Sequence, residues 1–336
     1  MTTETIATSR PLPASGCRAI AHSNIALAKY WGKRDADENL PDVPSLSLTL
    51  AALSTTTHVR FDPELPEDEV TLNAAPADAA SRAKVVALLE RVRLAAGSAC
   101  FARVSSRNDF PTASGLASSA SGFAALAVAA LGAAGLSWSS ADVSALARRS
   151  SVSAARSIFG GFVTLDAGAR SAQPLDAGPT ATSLRMLIAV TQTGPKEVGS
   201  TQGMLLTQRT SPFYPGWRSA APEIFGELRA ALLAGELDRV GQAMERSALA
   251  MHASMFAATP ALIYLSPATL AAMACVRELR KQGRFAYFTM DAGPHVKVLT
   301  LADQVESVRS ALETVPGVLR VMVSGIGGGA RLVEGA

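Results

Sequence analysis

The segment NDFPTASGLASSASG, residues 108–122, decides the fold of this chain. Gly115 has no side chain to block a ligand, while Ser118 and Ser119 offer hydroxyl groups. An Ala-rich apolar run continues to Leu136 and predicts a helix over about residues 116–134. The first amides of such a helix are unpaired and lie at the positive end of its dipole. The segment therefore predicts a phosphate-binding loop, and with it an enzyme that uses ATP.

Other interpretations of the glycines are weaker. An isolated Gly/Ser segment could be a turn that serves close packing alone. Here a helix follows the segment, and Asn108 and Pro111 precede the glycine, which makes that interpretation weaker. The segment is no Walker loop, because no Gly-Lys-Ser/Thr follows. A second cluster, residues 325–330, formally matches the dinucleotide pattern G-x-G-x-x-A, but only six residues remain for a helix. We expect it to form a tight turn near the active site.

Composition indicates a folded protein that does not bind nucleic acid. Of the 336 residues, 48% are hydrophobic and 18% charged, and the net charge is only +3. No Lys/Arg-rich run is present, as a nucleic-acid-binding surface would require. The three cysteines are far apart and odd in number, which fits a reducing compartment without a disulfide or zinc framework.

Hydropathy and residue type predict the domain organisation. Residues 1–17 read as a flexible tail without the apolar core of a signal peptide. No run is long and apolar enough for a membrane span, so we expect a cytoplasmic protein. The small, polar stretch at 168–183 marks a boundary between an N-terminal domain, 18–183, and a C-terminal domain, 184–336.

Periodicity predicts an α+β fold, since strands precede helices in both halves. The N-terminal half shows strand patterns at 18–29 and 101–105, a hairpin made of 46–51 and 55–61, and helices at 81–95 and 140–149. The C-terminal half shows strands at 184–190, 284–289, 294–299 and 318–323. Three or four helices lie between 199 and 282, and one more at 302–315.

Five segments carry a family resemblance. The loop at 108–122 resembles the phosphate-binding motif of the GHMP small-molecule kinase superfamily. Together with four others it closely resembles the mevalonate diphosphate decarboxylase family; these are AHSNIALAKYWGKRD (21–35), SVSAARSIFGGF (151–162), GSTQGM (199–204) and MDAGPHVKVL (290–299). The KYWGK and MDAGP strings distinguish this branch from general GHMP kinases.

This resemblance implies a GHMP kinase-like two-domain fold with the active site in the inter-domain cleft. The implied reaction converts ATP and mevalonate 5-diphosphate into isopentenyl diphosphate, ADP, phosphate and CO2, with Mg²⁺ accompanying the ATP. The family also suggests a homodimer that binds a small-molecule substrate. Phosphorylation of the tertiary 3-hydroxyl turns it into a leaving group, whose departure draws electrons from the carboxylate.

The resemblance assigns three catalytic residues. Asp291 would accept or orient the hydroxyl proton, although an Asp-x-Gly sequence also commonly closes a turn. Arg156 would hold the substrate carboxylate through its guanidinium fork, although a lone Arg on a helix is usually at the surface. Lys29 matches a lysine near the reacting oxygen.

The remaining expected site residues divide between two ligands. Those expected to bind the substrate are Tyr30, Trp31, Gly32, Lys33, Arg82, Ser151, Val152, Ser153, Ala154, Ala155, Ser200 and Thr201. Those expected to bind ATP are Asn108, Pro111, Gly115, Leu116, Ala117, Ser118 and Ser119. No residue is expected to bind a metal directly.

Two positions depart from the family pattern and keep alternatives open. Val152 replaces a customary Gly and His295 a customary Asn. The alternatives are an enzyme for mevalonate 5-phosphate, a mevalonate 3-kinase that does not decarboxylate, and an inactive binding paralogue. His252, on a predicted helix with Met and Ala, is expected to be a core residue with its polar atoms satisfied.

Overall fold

A computed structural model describes residues 12–13, 15–110, 118–194 and 197–333. Its strands are β1 Cys17–Ala28, β2 Lys33–Asp35, β3 Leu40–Pro41, β4 Ser45–Asp62, β5 Glu69–Leu72, β6 Ala75–Pro76, β7 Phe101–Asn108, β8 Phe162–Leu165, β9 Gln173–Leu175, β10 Leu184–Val190, β11 Ala286–Met290, β12 Val296–Leu301, β13 Arg320–Ser324 and β14 Arg331–Val333. Its α-helices are α1 Ala79–Ala96, α2 Ser118–Ala133, α3 Ser140–Ser150, α4 Ala154–Ser157, α5 Ser200–Thr210, α6 Tyr214–Leu233, α7 Leu237–Phe256, α8 Pro267–Lys281 and α9 Val305–Glu313.

The larger sheet has the strand order β14-β1-β4-β7-β5-β6, and β8 and β9 extend it beside the first half of β4. The long strand β4 pairs with β8 at one end and β7 at the other, while β1 follows it along most of its length. The predicted hairpin at 46–61 is therefore wrong. The segment contains no Gly, Pro or Asn to form a hairpin turn, and Ala51 and Ala52 continue the strand.

The smaller sheet is antiparallel, with the order β11-β12-β10-β13. Its strand β10 coincides with the strand predicted at 184–190. One face packs on α8 and α9 through an apolar cluster that includes Val276 and Val308. The other face packs on α6 and α7, where Leu228 and Met244 are fully buried. A third, two-stranded sheet is made of β2 and β3. Two main sheets with separate helices make the fold α+β, as predicted.

One core joins the two sheets. Ile25 of β1 and Leu48 of β4 belong to the same buried apolar cluster as Ile188 of β10 and Leu228 of α6. Because this core is continuous, the two sheets are packed against each other and hold a fixed relative position.

The glycine cluster at 325–330 connects β13 of the smaller sheet to β14 of the larger one. A Cβ at Gly327 would lie 2.8 Å from the Leu50 carbonyl carbon, and one at Gly329 would lie 2.8 Å from the Ile158 oxygen. The glycines therefore permit close passage of the chain between neighbouring backbones. The expected tight turn is wrong, since residues 325–330 contain no turn, and the segment does not line the large cavity. Among the helices of the described ranges, none is long and apolar enough to cross a membrane.

Candidate active site

A cavity of about 1000 Å³ lies between the two sheets. Its N-terminal wall includes Lys29 at the end of β1, Ser118 at the start of α2, and Ser151. Its C-terminal wall includes Thr201 of α5 and Asp291, which follows β11. Segments far apart in the sequence therefore meet at one cleft, as expected for an inter-domain active site.

Asp291 stands at the end of β11, in a turn closed by the Gly293 N–H, which donates to the Asp291 carbonyl at 2.7 Å. Its Oδ1 lies 2.6 Å from the Lys29 Nζ and its Oδ2 lies 3.1 Å from the Lys297 Nζ. Burial alone would raise the pKa of this carboxyl, but the two ammonium groups hold the pKa well below its usual range. Asp291 is therefore a carboxylate throughout the physiological pH range.

Lys29 is 2% exposed and its ammonium faces the cavity beside Asp291. Its backbone N–H donates to the Ser247 hydroxyl of α7 at 2.9 Å, which fixes the end of β1 against the second domain. Burial lowers the pKa of Lys29 to about 8, while Asp291 acts in the opposite direction. The ammonium is thus a cation at neutral pH that exchanges its proton more readily than an ordinary lysine.

Arg156 is 2% exposed and belongs to the short helix α4. Its Nε donates to the Ser47 hydroxyl at 3.0 Å and its Nη1 to the Ser45 hydroxyl at 2.7 Å. Burial lowers the pKa of Arg156 to about 10, so the side chain remains charged at neutral pH. Among the described residues no carboxylate lies within salt-bridge distance of it. A fixed guanidinium facing the cavity suits a ligand carboxylate.

The Tyr30–Lys33 turn is held by the second domain. The Trp31 indole donates to Thr207 of α5, and the Trp217 indole donates to the Trp31 carbonyl. The Lys33 N–H donates to the Gln208 amide oxygen at 2.9 Å. The buried Tyr30 hydroxyl has no hydrogen-bond partner in the described part of the chain, and burial raises the pKa of this phenol. Tyr30 is therefore a neutral hydroxyl available to a ligand.

Cations dominate the described lining of the cavity. The side chains that carry positive charge are Lys29, Lys33, Lys84, Arg149, Arg156 and Arg209, whereas Asp291 is the one carboxylate there. The pKa of Lys33 is lowered by burial and by the charge of Lys84, so these two ammonium groups face the same space. Such convergence favours a ligand with several negative charges.

Arg82 was expected to bind the substrate, but it does not line the cavity. Its guanidinium donates to Glu67 and to the Asp68 carbonyl instead. Lys84 of the same helix takes that place. Positions two apart on an α-helix point about 200° apart, so only one of these two could face the cleft. Helical periodicity was the signal that could have identified Lys84.

Several other expected substrate contacts lie behind the lining. Ala154 and Ala155 are fully buried in the first turn of α4. Gly32 is part of the Tyr30–Lys33 turn but packs against Tyr214 and does not line the cavity. The expected substrate residues that line the cavity are Tyr30, Trp31, Lys33, Ser151, Val152, Ser153, Arg156, Ser200 and Thr201. Sequence reasoning missed Lys84, Arg149, Arg209 and Asn24 on the lining, and Lys297 behind it.

Ser118 and Ser119 lie at the start of α2 and line both the large cavity and a smaller one of about 180 Å³. The lining of the smaller cavity combines apolar side chains, among them Val85, Val104 and Phe123, with polar ones that include Asn108. A flat apolar group fits such walls when phosphates lie at the helix start. Pro111, Gly115, Leu116 and Ala117, the other expected ATP contacts, lie outside the described residues.

The two departures from the family pattern occupy different environments. Val152 is 4% exposed and packs with Ala155, Val163 and Leu165, so its side chain anchors the 151–153 turn in an apolar cluster. His295 is fully buried, accepts the Thr191 N–H at its Nδ1, and does not line the cavity.

The His252 ring is buried in α7, as expected of a core residue. It lies beside the backbone of Met290 and Asp291. Burial lowers the pKa of His252 to about 4, and the nearby Lys29 ammonium adds to this. The ring is therefore neutral at neutral pH.

The fold and the site define a two-domain enzyme with a predominantly cationic cleft. Residues 21–175 match the model of the diphosphomevalonate decarboxylase-like N-terminal domain, and residues 186–322 match that of the mevalonate 5-diphosphate decarboxylase C-terminal domain. The chain belongs to the diphosphomevalonate decarboxylase family.

Individual relatives agree with this assignment. The diphosphomevalonate decarboxylase mvd1 of Aspergillus fumigatus is 34% identical over 88% of this chain and 79% of its own. The phosphomevalonate decarboxylase of Haloferax volcanii is 30% identical over 94% of this chain and 97% of its own. A solved structure, MDDEF in complex with MVAPP, AMPPCP and magnesium, superposes with a TM-score of 0.90 and 41% identity over 95% of this chain and 99% of its own. This likeness confirms the GHMP-like two-domain fold.

Proposed function

We propose that this protein is a diphosphomevalonate decarboxylase that uses ATP to convert mevalonate 5-diphosphate into isopentenyl diphosphate, ADP, phosphate and CO2 in isoprenoid biosynthesis by the mevalonate route. The observation that carries the proposal is the arrangement of Asp291, Lys29 and Arg156 around one cleft. Asp291 and Lys29 together suit the substrate hydroxyl, because they provide a carboxylate and an ammonium group. Arg156 is a separate, fixed cation that suits the substrate carboxylate.

Each end of the substrate has matching groups. Arg156 binds the carboxylate and fixes its direction, because Ser45 and Ser47 hold the guanidinium in place. Lys33, Lys84 and the Tyr30 hydroxyl bind the diphosphate. Hydroxyl groups of the 151–153 turn and of the start of α5 complete the contacts, namely Ser151, Ser153, Ser200 and Thr201.

The reaction needs the tertiary hydroxyl to attack the γ-phosphate of ATP. Asp291 accepts or orients the hydroxyl proton, and the Lys29 ammonium stabilises the oxygen as it gains negative charge. Phosphate then leaves, and the bond to the carboxylate supplies the electrons for the new double bond as CO2 departs. The low pKa of Asp291 favours the orienting role, since a weak base gains little from taking a proton.

ATP binds with its phosphates at the start of α2 and its base in the smaller cavity beside Phe123. Ser118 and Ser119 present hydroxyl oxygens, hard donors that would suit an Mg²⁺ ion, and such an ion would offset the negative charge of the ATP phosphates.

A second candidate is decarboxylation of mevalonate 5-phosphate. The likeness to the Haloferax volcanii phosphomevalonate decarboxylase favours it, as does Val152 in place of the customary Gly. Lys33 and Lys84, the two lining cations assigned above to the phosphates, favour the more highly charged diphosphate.

One assay tests these candidates: purified protein, MgATP, and mevalonate with zero, one or two phosphates. Equal release of ADP and CO2 with the diphosphate alone supports the proposal. The same result with the monophosphate supports the second candidate, and ADP without CO2 identifies a 3-kinase. Asp291→Asn is the control, with turnover expected to fall by roughly 100-fold or more while ATP still binds. A homodimer and a cytoplasmic location stay predictions, and light scattering tests the first.

A further inference from the structure

Lys297 is a fully buried lysine that does not line the cleft. It lies on β12, directly opposite Thr289 of β11. Its neighbours along the strand, Val296 and Val298, belong to the apolar core. An ammonium in such surroundings is costly unless it is paired.

The pairing is with the reaction site. The Lys297 Nζ lies 3.1 Å from Oδ2 of Asp291 and 3.4 Å from the His295 carbonyl oxygen, to which it donates. Asp291 follows β11 and Lys297 belongs to β12, so one hairpin carries both groups. Lys29 approaches the same carboxylate on Oδ1. The carboxylate is thus held between an ammonium at the cavity and an ammonium behind it.

We propose that Lys297 is a positioning residue for the reaction, holding Oδ2 of Asp291 from behind so that Oδ1 stays directed at Lys29 and at the substrate hydroxyl. This inference rests on the proposed function. Without the second ammonium the carboxylate is free to rotate about its Cβ–Cγ bond, and its alignment with the hydroxyl is lost.

The charges around this group give the proposal an electrostatic signature. Four charged or titratable side chains lie around Asp291. They are Lys29, which follows β1, Lys297 of β12, Arg156 of α4 and His252 of α7. The charge of Lys297 lowers the pKa of Lys29. Removing that charge should therefore raise the pKa of Lys29 and move the alkaline limb of activity to higher pH.

The test compares Lys297→Met with Lys297→Arg in the full-length protein. The Met variant is expected to lose up to about 100-fold in kcat with little change in the KM for ATP, and its alkaline limb should move up by about one pH unit. The Arg variant keeps the charge, so its alkaline limb should stay in place. A matched control is Arg93→Met, which removes a buried cation paired with Asp68 at 2.8 Å outside the cleft.

Two results overturn the proposal. One is a pH–activity profile of Lys297→Met whose alkaline limb matches that of the wild type. The other is a loss of kcat in Lys297→Met no greater than that in Arg93→Met, when the two variants have lost equal thermal stability. If the wild-type protein turns over none of the mevalonates, the proposed function fails, but the inference can still be tested. The pH dependence of Lys29 acetylation by acetic anhydride, followed by mass spectrometry, should shift upward in Lys297→Met. No shift there means that Lys297 does not act on the site.

Discussion

Gly32 lies against the phenolic oxygen of Tyr214, and a Cβ at position 32 would stand 2.0 Å from that oxygen. The backbone of Gly32 has a φ of +119°, which L side chains rarely adopt. Tyr214 cannot easily withdraw, because its hydroxyl donates to the Asp42 carboxylate at 2.8 Å. The turn that carries Tyr30 and Lys33 to the cleft therefore depends on glycine for two separate reasons.

We expect Gly32→Ala to displace this turn from α6. The strained backbone alone should cost about 1–3 kcal/mol of the free energy of unfolding, and the KM for the diphosphate should rise. Thermal unfolding and steady-state kinetics measure both effects. Gly226→Ala in α6 is the control, because a Cβ there meets nothing within 4 Å. Equal behaviour of the two variants would show that the contact with Tyr214 is unimportant.

Lys84 and Arg82 provide a direct test of the substrate pocket. Lys84 lines the cleft near Lys33, whereas Arg82 pairs with Glu67 at 2.5 Å outside it. Lys84→Ala should raise the KM for the diphosphate by about tenfold, since it removes one of the cations facing the phosphates. Arg82→Ala should leave the KM near that of the wild type. Reversed effects would mean that Arg82, and not Lys84, contacts the substrate.

Arg156→Ala should impair turnover far more than ATP affinity. The substitution removes a buried cation held by Ser45 and Ser47, and the substrate carboxylate then has no fixed partner. We expect kcat/KM for the diphosphate to fall roughly 100-fold or more. ATP affinity, measured by calorimetry, should change little. Wild-type turnover in this variant would remove Arg156 from the site.

The decline of activity at alkaline pH should follow the deprotonation of Lys29. Its pKa is lowered to about 8, and the protonated form is the one that pairs with Asp291 and attracts anions. As the pH rises through this value the ammonium is lost, so kcat/KM should decline above about pH 8. A profile that stays level to about pH 10 would mean that Lys29 is unperturbed or dispensable.

The sequence predicted the elements that carry strong local signals. The α2 region and β10 follow from their apolar patterns, and the Asp291 turn from its Gly and Pro. The long strand β4 was missed because its alternation at both ends imitates two strands, while its continuity depends on pairing with β1, β7 and β8. Such pairing partners are distant in sequence and leave no local pattern.

The site shows the same division. Asp291, Lys29 and Arg156 lie in recognisable strings, so they could be named in advance. Lys297 lies in the 290–299 string as well, but its alternation with Val296 and Val298 predicts a solvent-exposed side chain, and only the fold places it behind Asp291. The roles of Ser45 and Ser47 as supports for Arg156 likewise arise only when β4 packs beside α4.

His252 should make the stability of the protein depend on pH in the acidic range. Its pKa is about 4 in the folded protein and near the ordinary 6.5 in the unfolded chain, so the unfolded chain binds the extra proton between these values. The free energy of unfolding should therefore decrease as the pH falls from about 6.5 to about 4, by up to about 3 kcal/mol from this group. In His252→Leu that contribution should disappear, and the slope of the unfolding free energy against pH should be smaller across this window. Met244→Leu, a buried and volume-conserving change on the same helix, should keep the wild-type slope, and denaturant unfolding at several pH values distinguishes the two variants. A His252→Leu slope equal to that of the wild type would mean that this ring does not stay neutral in the folded protein.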